Sequence, residues 1–434
     1  MGRSMHLAVF AQAMGAAQGV WRSPRTVAGT ELSLGHWAHL AQTAEAGCFD
    51  AFFVADALTL SPGIAGDATL RPDPVALLSA LSVATSRIGL IGTSSTTYND
   101  PFTVARQFAT LDHLSEGRAG WNVVTTAIAA AAENYGTETL PDHEDRYERG
   151  EEFVDVVLGL WDCWEPDAVV ADRSSGVFAD LDRIRSLDHR GRHFRVRGPL
   201  TVPRSPQGRL PLAQAGSSGP GMRLGARVAD LVFTTQVDPE ASLAFADEMR
   251  TLAVAAGRHA GDLKVLPGVT PIVGRTRAEA GDLAAELGSY VSEPSTLQFM
   301  AASFGGLDLS SYELDDPFPD LRGQLPAHAG VSRPELFIRT ALEERLTLRQ
   351  LLQRIGLSIG HRSLVGTPDD IADDLQRWFE AGAADGFVVI PADMPAGLTD
   401  FVGEVVPRLQ ARGLFRKRYA GATLRDHLAD RPTA

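Results

Sequence analysis

Short apolar runs alternate with longer helix-like segments from one end of the chain to the other. The alternation occurs about eight times, and no Gly-x-Gly-x-x-Gly turn follows the first run. Strand followed by helix, repeated, predicts parallel neighbours, because parallel strands need a crossover element between them. Eight repeats without the dinucleotide-binding turn predict an α/β fold, a closed (β/α)8 TIM barrel with insertions, rather than a doubly wound open sheet. We read residues 1–434 as one barrel domain.

The first predicted strand is Leu7–Phe10, followed by a loop and a helix over Leu34–Ala46 that closes on Gly47. The second is Ala51–Asp56, with a helix over Pro74–Thr85 that starts on proline, where the missing N–H costs nothing. Ile88–Thr93 precedes a helix over Pro101–Leu114, and Ala119–Thr126 precedes one from Asp145 to Trp164. Leu212–Ala215, Leu231–Thr234 and Val265–Val273 are strands five to seven. Gly386–Ile390 is the eighth, closed by a helix over Thr399–Arg412. Two stretches break the rhythm. Residues 165–210 form an insertion after the fourth helix, with a hairpin-like Arg192–Val196, and residues 290–340 are rich in Gly, Ser, Asp and Pro. Long excursions in compact folds commonly serve as lids or contacts, so 290–340 is expected to cover the active site.

Acidic residues outnumber basic ones 54 to 40, for a net charge of −14, which is the wrong balance for a nucleic-acid partner. All basic residues except Lys264 and Lys417 are arginine. No apolar run reaches the roughly 20 residues that span a bilayer, and Met1–His6 leads straight into a strand without a signal-like stretch. Cys48 and Cys163, far apart inside helical patterns, suit neither a disulfide framework nor a cysteine metal site. A cytoplasmic protein without a membrane or metal is expected.

In such a barrel the site lies at the carboxyl ends of the strands. That rule selects Asp56, Thr93 with the run Ser94–Asn99, then Asn122, Thr125 and Thr126, then Gly216–Gly219. The ring is rich in hydroxyls and amides, with one carboxylate and no basic residue. It lacks the facing carboxylates of a glycosidase, the converging ligands of a metal site and the Gly-x-Ser-x-Gly elbow of a hydrolase. Neutral hydrogen-bonding groups around a barrel mouth suit a large organic cofactor that carries the chemistry itself. Gln214–Gly221 places glycines and serines where a strand yields to a helix, which reads either as a phosphate cradle or as a capped tight turn. His143 and Tyr147, four apart, share a helix face; a phosphate contact and a simple capping turn are both open. His328 and His361 are expected at the surface. Phe10, Met14, Gln18, Trp21, Leu58 and Leu60 are candidates for the substrate side of the mouth.

Ala55–Leu58, Thr96–Pro101 and Leu111–Thr125 together resemble the bacterial luciferase-like flavin monooxygenases. The resemblance is strongest to the branch of nitrilotriacetate, dibenzothiophene-sulfone and long-chain-alkane monooxygenases. Asn134–Gly136, His143–Tyr147, Ser205–Gly208, Gln214–Ser218 and Arg412–Phe415 extend it over nearly the whole chain. The resemblance implies a TIM barrel that takes reduced FMN from a separate NAD(P)H-dependent reductase. With O2 as co-substrate the flavin would form a peroxide and oxygenate a small molecule. It further implies that Asp56, Thr93, Asn122 and Thr125 contact the isoalloxazine and ribityl parts, and that His143, Tyr147, Ser217 and Ser218 hold the ribityl–phosphate end. A homodimer or homotetramer is implied as well.

The chain departs from the family pattern at three places. Ala16–Arg22 lacks the histidine often found before Trp-Arg, Asp73-Pro74 replaces Glu-Pro, and Glu133 replaces an arginine. The first removes an acid–base group near the substrate, and no residue is assigned as catalytic. The aromatic and apolar mouth residues, with no arginine cluster after strands one and two, favour an apolar or heteroaromatic substrate. A deazaflavin-dependent hydride-transfer enzyme would need a basic groove not evident here. A non-catalytic flavin-binding protein on the same barrel is the remaining alternative.

Overall fold

Eight parallel strands close into a barrel in the computed structural model, which describes residues 3–326 and 332–429. In chain order the strands are β1 (His6–Ala11), β2 (Ala51–Val54), β3 (Gly89–Ser95), β4 (Ala119–Val124), β5 (Leu212–Gln214), β6 (Leu231–Thr234), β7 (Lys264–Val273), β8 (Arg362–Gly366) and β9 (Gly386–Val389). The ring runs from β1 to β7 and returns through β9. Leu231 is level with Lys264, Val388 with Gly268, and His6 with Gly386. β8 stands outside this ring, pairing with the outer half of β7 from Val269–Arg362 to Val273–Gly366. The sequence reading missed β8. Its residues are half-exposed and its pattern is mixed, so it lacks the apolar run of a strand buried on both faces.

Alternation along each strand divides two cores. Leu7, Val9, Phe52, Leu90, Trp121, Leu212 and Phe387 face outward under the helices. Ala8, Ala51, Phe53, Ile91, Ala213, Leu231, Leu266 and Val388 face the lumen. Leu424 and Leu428, from the short helix Leu424–Leu428, join the lumen cluster and plug its amino end.

The ring helices carry clear start signals. Those over Pro74–Leu81, Pro101–Leu114 and Pro239–Ala255 each begin on proline. In each, an aspartate (Asp73, Asp100, Asp238) precedes the proline and accepts an N–H of the first turn. The helix from Pro74 ends at Leu81, short of the expected Thr85, and the fourth runs His143–Trp161. The helix after β9 covers residues 396–411 with a π turn over Phe401–Val405.

Two excursions leave the barrel. Between Trp161 and Leu212 lie two small antiparallel hairpins, Val169–Asp172 with Val177–Ala179 and His189–Arg190 with Arg195–Val196. After β7 the chain forms helices over Arg277–Ser289, Glu293–Ser303, Ser332–Glu344 and Leu348–Ser358. The last three surround a small core of their own, including Met300, Phe304, Phe318, Phe337, Leu348 and Leu352. This helical module reaches Ser358, past the expected boundary at residue 340; His328 lies outside the described residues.

A buried ion cluster clasps the two ends of the chain. The Asp50 carboxylate, 1% exposed, accepts the Leu7 N–H at 2.7 Å, lies 3.1 Å from His6 Nδ1 and pairs with Arg416. Burial opposes its charge, but Arg416, His6 and the hydrogen bonds prevail and hold the carboxyl down at about 2. A depressed folded-state value means that the stabilisation is present above the unfolded value near ~4 and is lost as pH falls through that window. Asp50→Ala is therefore expected to cost about 3–5 kcal/mol near neutral pH, since it strands a buried guanidinium. The variant should also flatten the loss of stability between about pH 4 and pH 2 in denaturant melts; an unchanged acid limb would refute this role for Asp50.

Candidate active site at the carboxyl end of the barrel

The upper layer of the lumen is aromatic on one side and polar on the other. Phe10 of β1 stacks on Phe53 of β2 with centroids 5.6 Å apart, and Phe233 of β6 meets them at 5.9 and 6.1 Å. His361 lies flat on Phe233, 5.1 Å away with 13° between the planes. It was expected at the surface, yet it is 9% exposed. The correction follows from its neighbour: Gly268 of β7 has no side chain, and a Cβ there would lie 2.3 Å from His361 Nδ1. Opposite the aromatics, Asn122 Nδ2 donates to Thr93 Oγ1 at 3.0 Å, and both residues are buried. Asn122 Oδ1, also buried, has no partner among the described residues. A buried amide oxygen in that state is costly, and a hydrogen-bonding ligand in the mouth would satisfy it.

From this pair a chain of contacts leads to the glycine turn. Thr125 continues past β4 and packs its methyl against Gly150 of the His143–Trp161 helix. One turn earlier on that helix, Tyr147 is buried, with the more exposed His143 ring 4.8 Å away. Tyr147 reaches the turn between β5 and the helix Gly219–Val228. Cβ atoms at Gly216 and Gly221 would lie 3.1 and 2.8 Å from its hydroxyl, and the two glycine backbones nearly touch. Only glycine allows that approach. Ser218 caps the helix, accepting the Gly221 N–H at 3.3 Å, and Ser217 stands beside it, half-buried. His143, Tyr147, Ser217 and Ser218, from two segments some 70 residues apart in sequence, thus share one corner. Backbone N–H groups, a helix start and hydroxyls together suit an anion.

The rim over β2 and β3 holds Asp56, Tyr98 and Tyr135. Burial, with Asp73 nearby, raises the Asp56 carboxyl above its ordinary value, and Ala57 N–H binds it at 2.8 Å. Tyr98 and Tyr135 stack 4.5 Å apart. The Leu58 carbonyl accepts from Asn134 at 2.8 Å, so Leu58 belongs to this outer rim rather than to the lumen. The expectation of a mouth without basic residues does not hold. Arg71 sits near Asp56 and Asp67 and donates to Gln12 at 3.1 Å. Arg146 and Arg149 donate to the carbonyls of Thr126 and Thr96. Arg71 comes from the loop after β2 and the other two from the first turns of the outer His143–Trp161 helix, which inspection of the strand ends alone does not reveal.

The helical module closes over the first loop. Gln18, 8% exposed, accepts from Thr296 of the Glu293–Ser303 helix, and its own N–H binds the Gly356 carbonyl at 2.8 Å. Trp21 is 40% exposed, tied through Nε1 to the Gly66 carbonyl at 3.0 Å. Of the candidate substrate residues, then, Phe10 reaches the lumen, Gln18 bonds to the module, Trp21 is partly exposed beside Gly66, and Leu58 is half-buried at the rim. Phe53 and Phe233 were missed although they share Phe10's inward register, a signal readable by alternation. Among the described residues no group of three or more His, Cys, Asp or Glu could hold a metal. No helix there is long and apolar enough to cross a membrane.

Fold and mouth together define a (β/α)8 enzyme scaffold with an aromatic floor, an amide-and-hydroxyl wall and an anion-suited corner. Residues 5–385 match the family described as luciferase-like monooxygenase. The chain is 42% identical to N-acetyl-S-(2-succino)cysteine monooxygenase of Bacillus subtilis (strain 168), over 98% of this chain and 96% of that protein. It is also 42% identical to nitrilotriacetate monooxygenase component A of Aminobacter aminovorans, with the same coverage. Among solved structures it resembles a riboflavin lyase (RcaE) crystallised with modified FMN and riboflavin: TM-score 0.87, 31% identity, 98% of this chain and 95% of that one. The chain belongs to the luciferase-like monooxygenases, and it is an enzyme of that class.

The glycine corner makes a sharp prediction. Gly221→Ala places a methyl within 2.8 Å of the Tyr147 hydroxyl, so either the ring or the turn must move. Affinity for FMN should fall about tenfold or more, some 1.4 kcal/mol, while affinity for riboflavin, which lacks the phosphate, changes little. Equal losses for both ligands in fluorescence titrations would remove the anion role from this corner.

Proposed function

We propose that this enzyme is the oxygenase half of a two-component system, using reduced FMN from a separate NAD(P)H-dependent reductase together with O2 to oxygenate a small organic substrate. The observation that carries the reading is the mouth itself: one wall offers an orphaned buried amide oxygen, and a connected corner offers glycine N–H groups, Ser218 and Tyr147 at a helix start. A flat, hydrogen-bonding ring with a phosphate tail fits that layout. The relatives agree: one is named as a component A, and another was solved with modified FMN.

Bound there, reduced FMN would supply the electrons that activate O2. The chain's own residues hold and enclose. Thr93, Asn122, Thr125 and Asp56 would orient the ring and its ribityl chain. His143, Tyr147, Ser217 and Ser218 would fix the phosphate, and Phe10 with its aromatic neighbours would give the ring or the substrate an apolar floor. Asp56, which accepts the Ala57 N–H, would meet the ring from the rim. The helical module over the mouth, latched by Gln18 and Thr296, would exclude water so that oxygen reaches the substrate rather than escaping as hydrogen peroxide.

The substrate follows less directly. The aromatic floor favours an apolar or heteroaromatic part. Two relatives named for carboxylate-bearing compounds, and Arg71 at the rim, make a carboxylated portion of the substrate part of the same proposal.

The decisive test is anaerobic titration with oxidised and reduced FMN, followed by an air pulse with and without candidate substrates. Tighter binding of reduced FMN and substrate-dependent oxygen use support the proposal, whereas no preference for the reduced form refutes it. Gln18→Leu removes the latch to Thr296. Hydrogen peroxide release per reduced FMN should then rise roughly fivefold, the effect of losing about 1 kcal/mol from one buried hydrogen bond. Unchanged coupling in a folded Gln18→Leu variant would mean that the module is not the lid.

A further inference from the structure

His361 is a lumen residue that lies outside the family motifs named above. It enters the lumen from the connection between the Leu348–Ser358 helix and β8, delivered by two consecutive left-handed residues, Ile359 at φ 54° and Gly360 at φ 81°. A β-branched residue in that region is strained, and such strain persists only where the surroundings impose it. Ile359 packs with the lumen cluster, while Gly360 faces Phe337, whose ring would be 2.4 Å from a Cβ there. The backbone is therefore bent between the barrel and the core of the helical module. The result is one imidazole over Gly268, flat against Phe233 and level with the aromatic floor.

That position matters because the first loop lacks a histidine: Ala16–Arg22 has Gln18, and Gln18 is committed to Thr296. Asp56, the carboxylate at the mouth, is held by Ala57 on the outer rim beside Asp73 and Arg71. His361 thus brings to the lumen itself an imidazole, a group able to carry and pass on a proton.

We propose that His361 is the proton donor of the oxygenation, touching the reacting oxygen, an assignment that rests on the monooxygenase reading above. The overall step is FMNH2 + O2 + substrate → FMN + oxygenated substrate + H2O. One oxygen atom bonds to the substrate, which is oxidised; the other is reduced and departs as water. That departing oxygen needs a proton as the O–O bond breaks. The imidazolium N–H supplies it, one of the two protons released from FMNH2 completes the water, and the other restores the imidazolium. The same N–H serves the substrate-free reaction, FMNH2 + O2 → FMN + H2O2, in which the O–O bond stays intact and the departing peroxide anion takes the proton.

The substrate-free reaction gives a test that needs no knowledge of the substrate. The full-length protein carrying reduced FMN is mixed with oxygenated buffer, and flavin oxidation and peroxide release are followed in a single turnover. His361→Ala is expected to slow peroxide release about a hundredfold, within the usual range for a lost general acid. Added imidazole should restore most of the rate, and pyrrole, of the same shape without a basic nitrogen, should not. His361→Gln keeps a hydrogen-bonding side chain, guards against a collapsed alanine variant, and should be equally slow. In 15N-histidine spectra of wild type, the signals missing from His361→Gln should move when reduced FMN is added anaerobically. Equal rescue by pyrrole, a normal rate in His361→Gln, or unmoved His361 signals would each overturn the assignment and leave His361 as packing for Gly268. Failure of wild type to bind reduced FMN would instead overturn the monooxygenase reading itself.

Discussion

Closing eight short parallel strands into a ring creates a lumen that has to be filled, and the molecule is organised around how it is filled. At the amino end, small inward residues such as Ala8, Ala51 and Ala213 leave room for Leu424 and Leu428 to seal the barrel. At the carboxyl end, large aromatics from β1, β2 and β6 form a floor, and β7 leaves a vacancy at Gly268 that an imidazole from a distant connection occupies. The bottom is sealed by these leucines, with the Asp50–His6–Arg416 cluster beside them. The top keeps polar groups whose hydrogen bonds are incomplete, and ligands are held by such groups.

The two excursions differ in what they add. The hairpins between the fourth helix and β5 stay on the outside, with Phe178 and Leu181 exposed. The module after β7 has its own apolar core and touches the barrel at its working end, through Gln18 and Thr296 and through Gly360 and Phe337. Its core is separate from that of the barrel, and the two bodies meet along the module's edge. Those same edge contacts reach the Gly360 backbone that delivers His361, so the placement of the module and the position of the imidazole are mechanically linked.

The anion corner shows how chemistry is divided between segments. Neither His143–Tyr147 nor Gln214–Gly221 is distinctive alone: the first reads as a capped acidic helix start and the second as a tight turn. Brought together, the tyrosine hydroxyl fills the space that two missing side chains leave, and each motif accounts for the residues of the other. The Asn122–Thr93 pair works similarly, since adjacent strands place the two at one level of the barrel.

Much of this was legible in the residues themselves. Strand and helix periodicity, the proline helix start at Pro74, and the rule that barrel sites sit at strand ends were enough to place Asp56, Thr93, Asn122 and the glycine turn at one end of a closed barrel. These depend on local backbone preferences and period, which a sequence carries directly. Tertiary structure alone decided the rest. β8 pairs only because β7 is long enough to offer a second edge beyond the ring. Arg146 and Arg149 reach the strand ends because the first turns of their outer helix lie beside them, and His361 is buried because a glycine on another strand leaves space for it. Each is a contact between residues distant in the chain, set by volume and register rather than by local pattern, and only the closed fold brings those residues together.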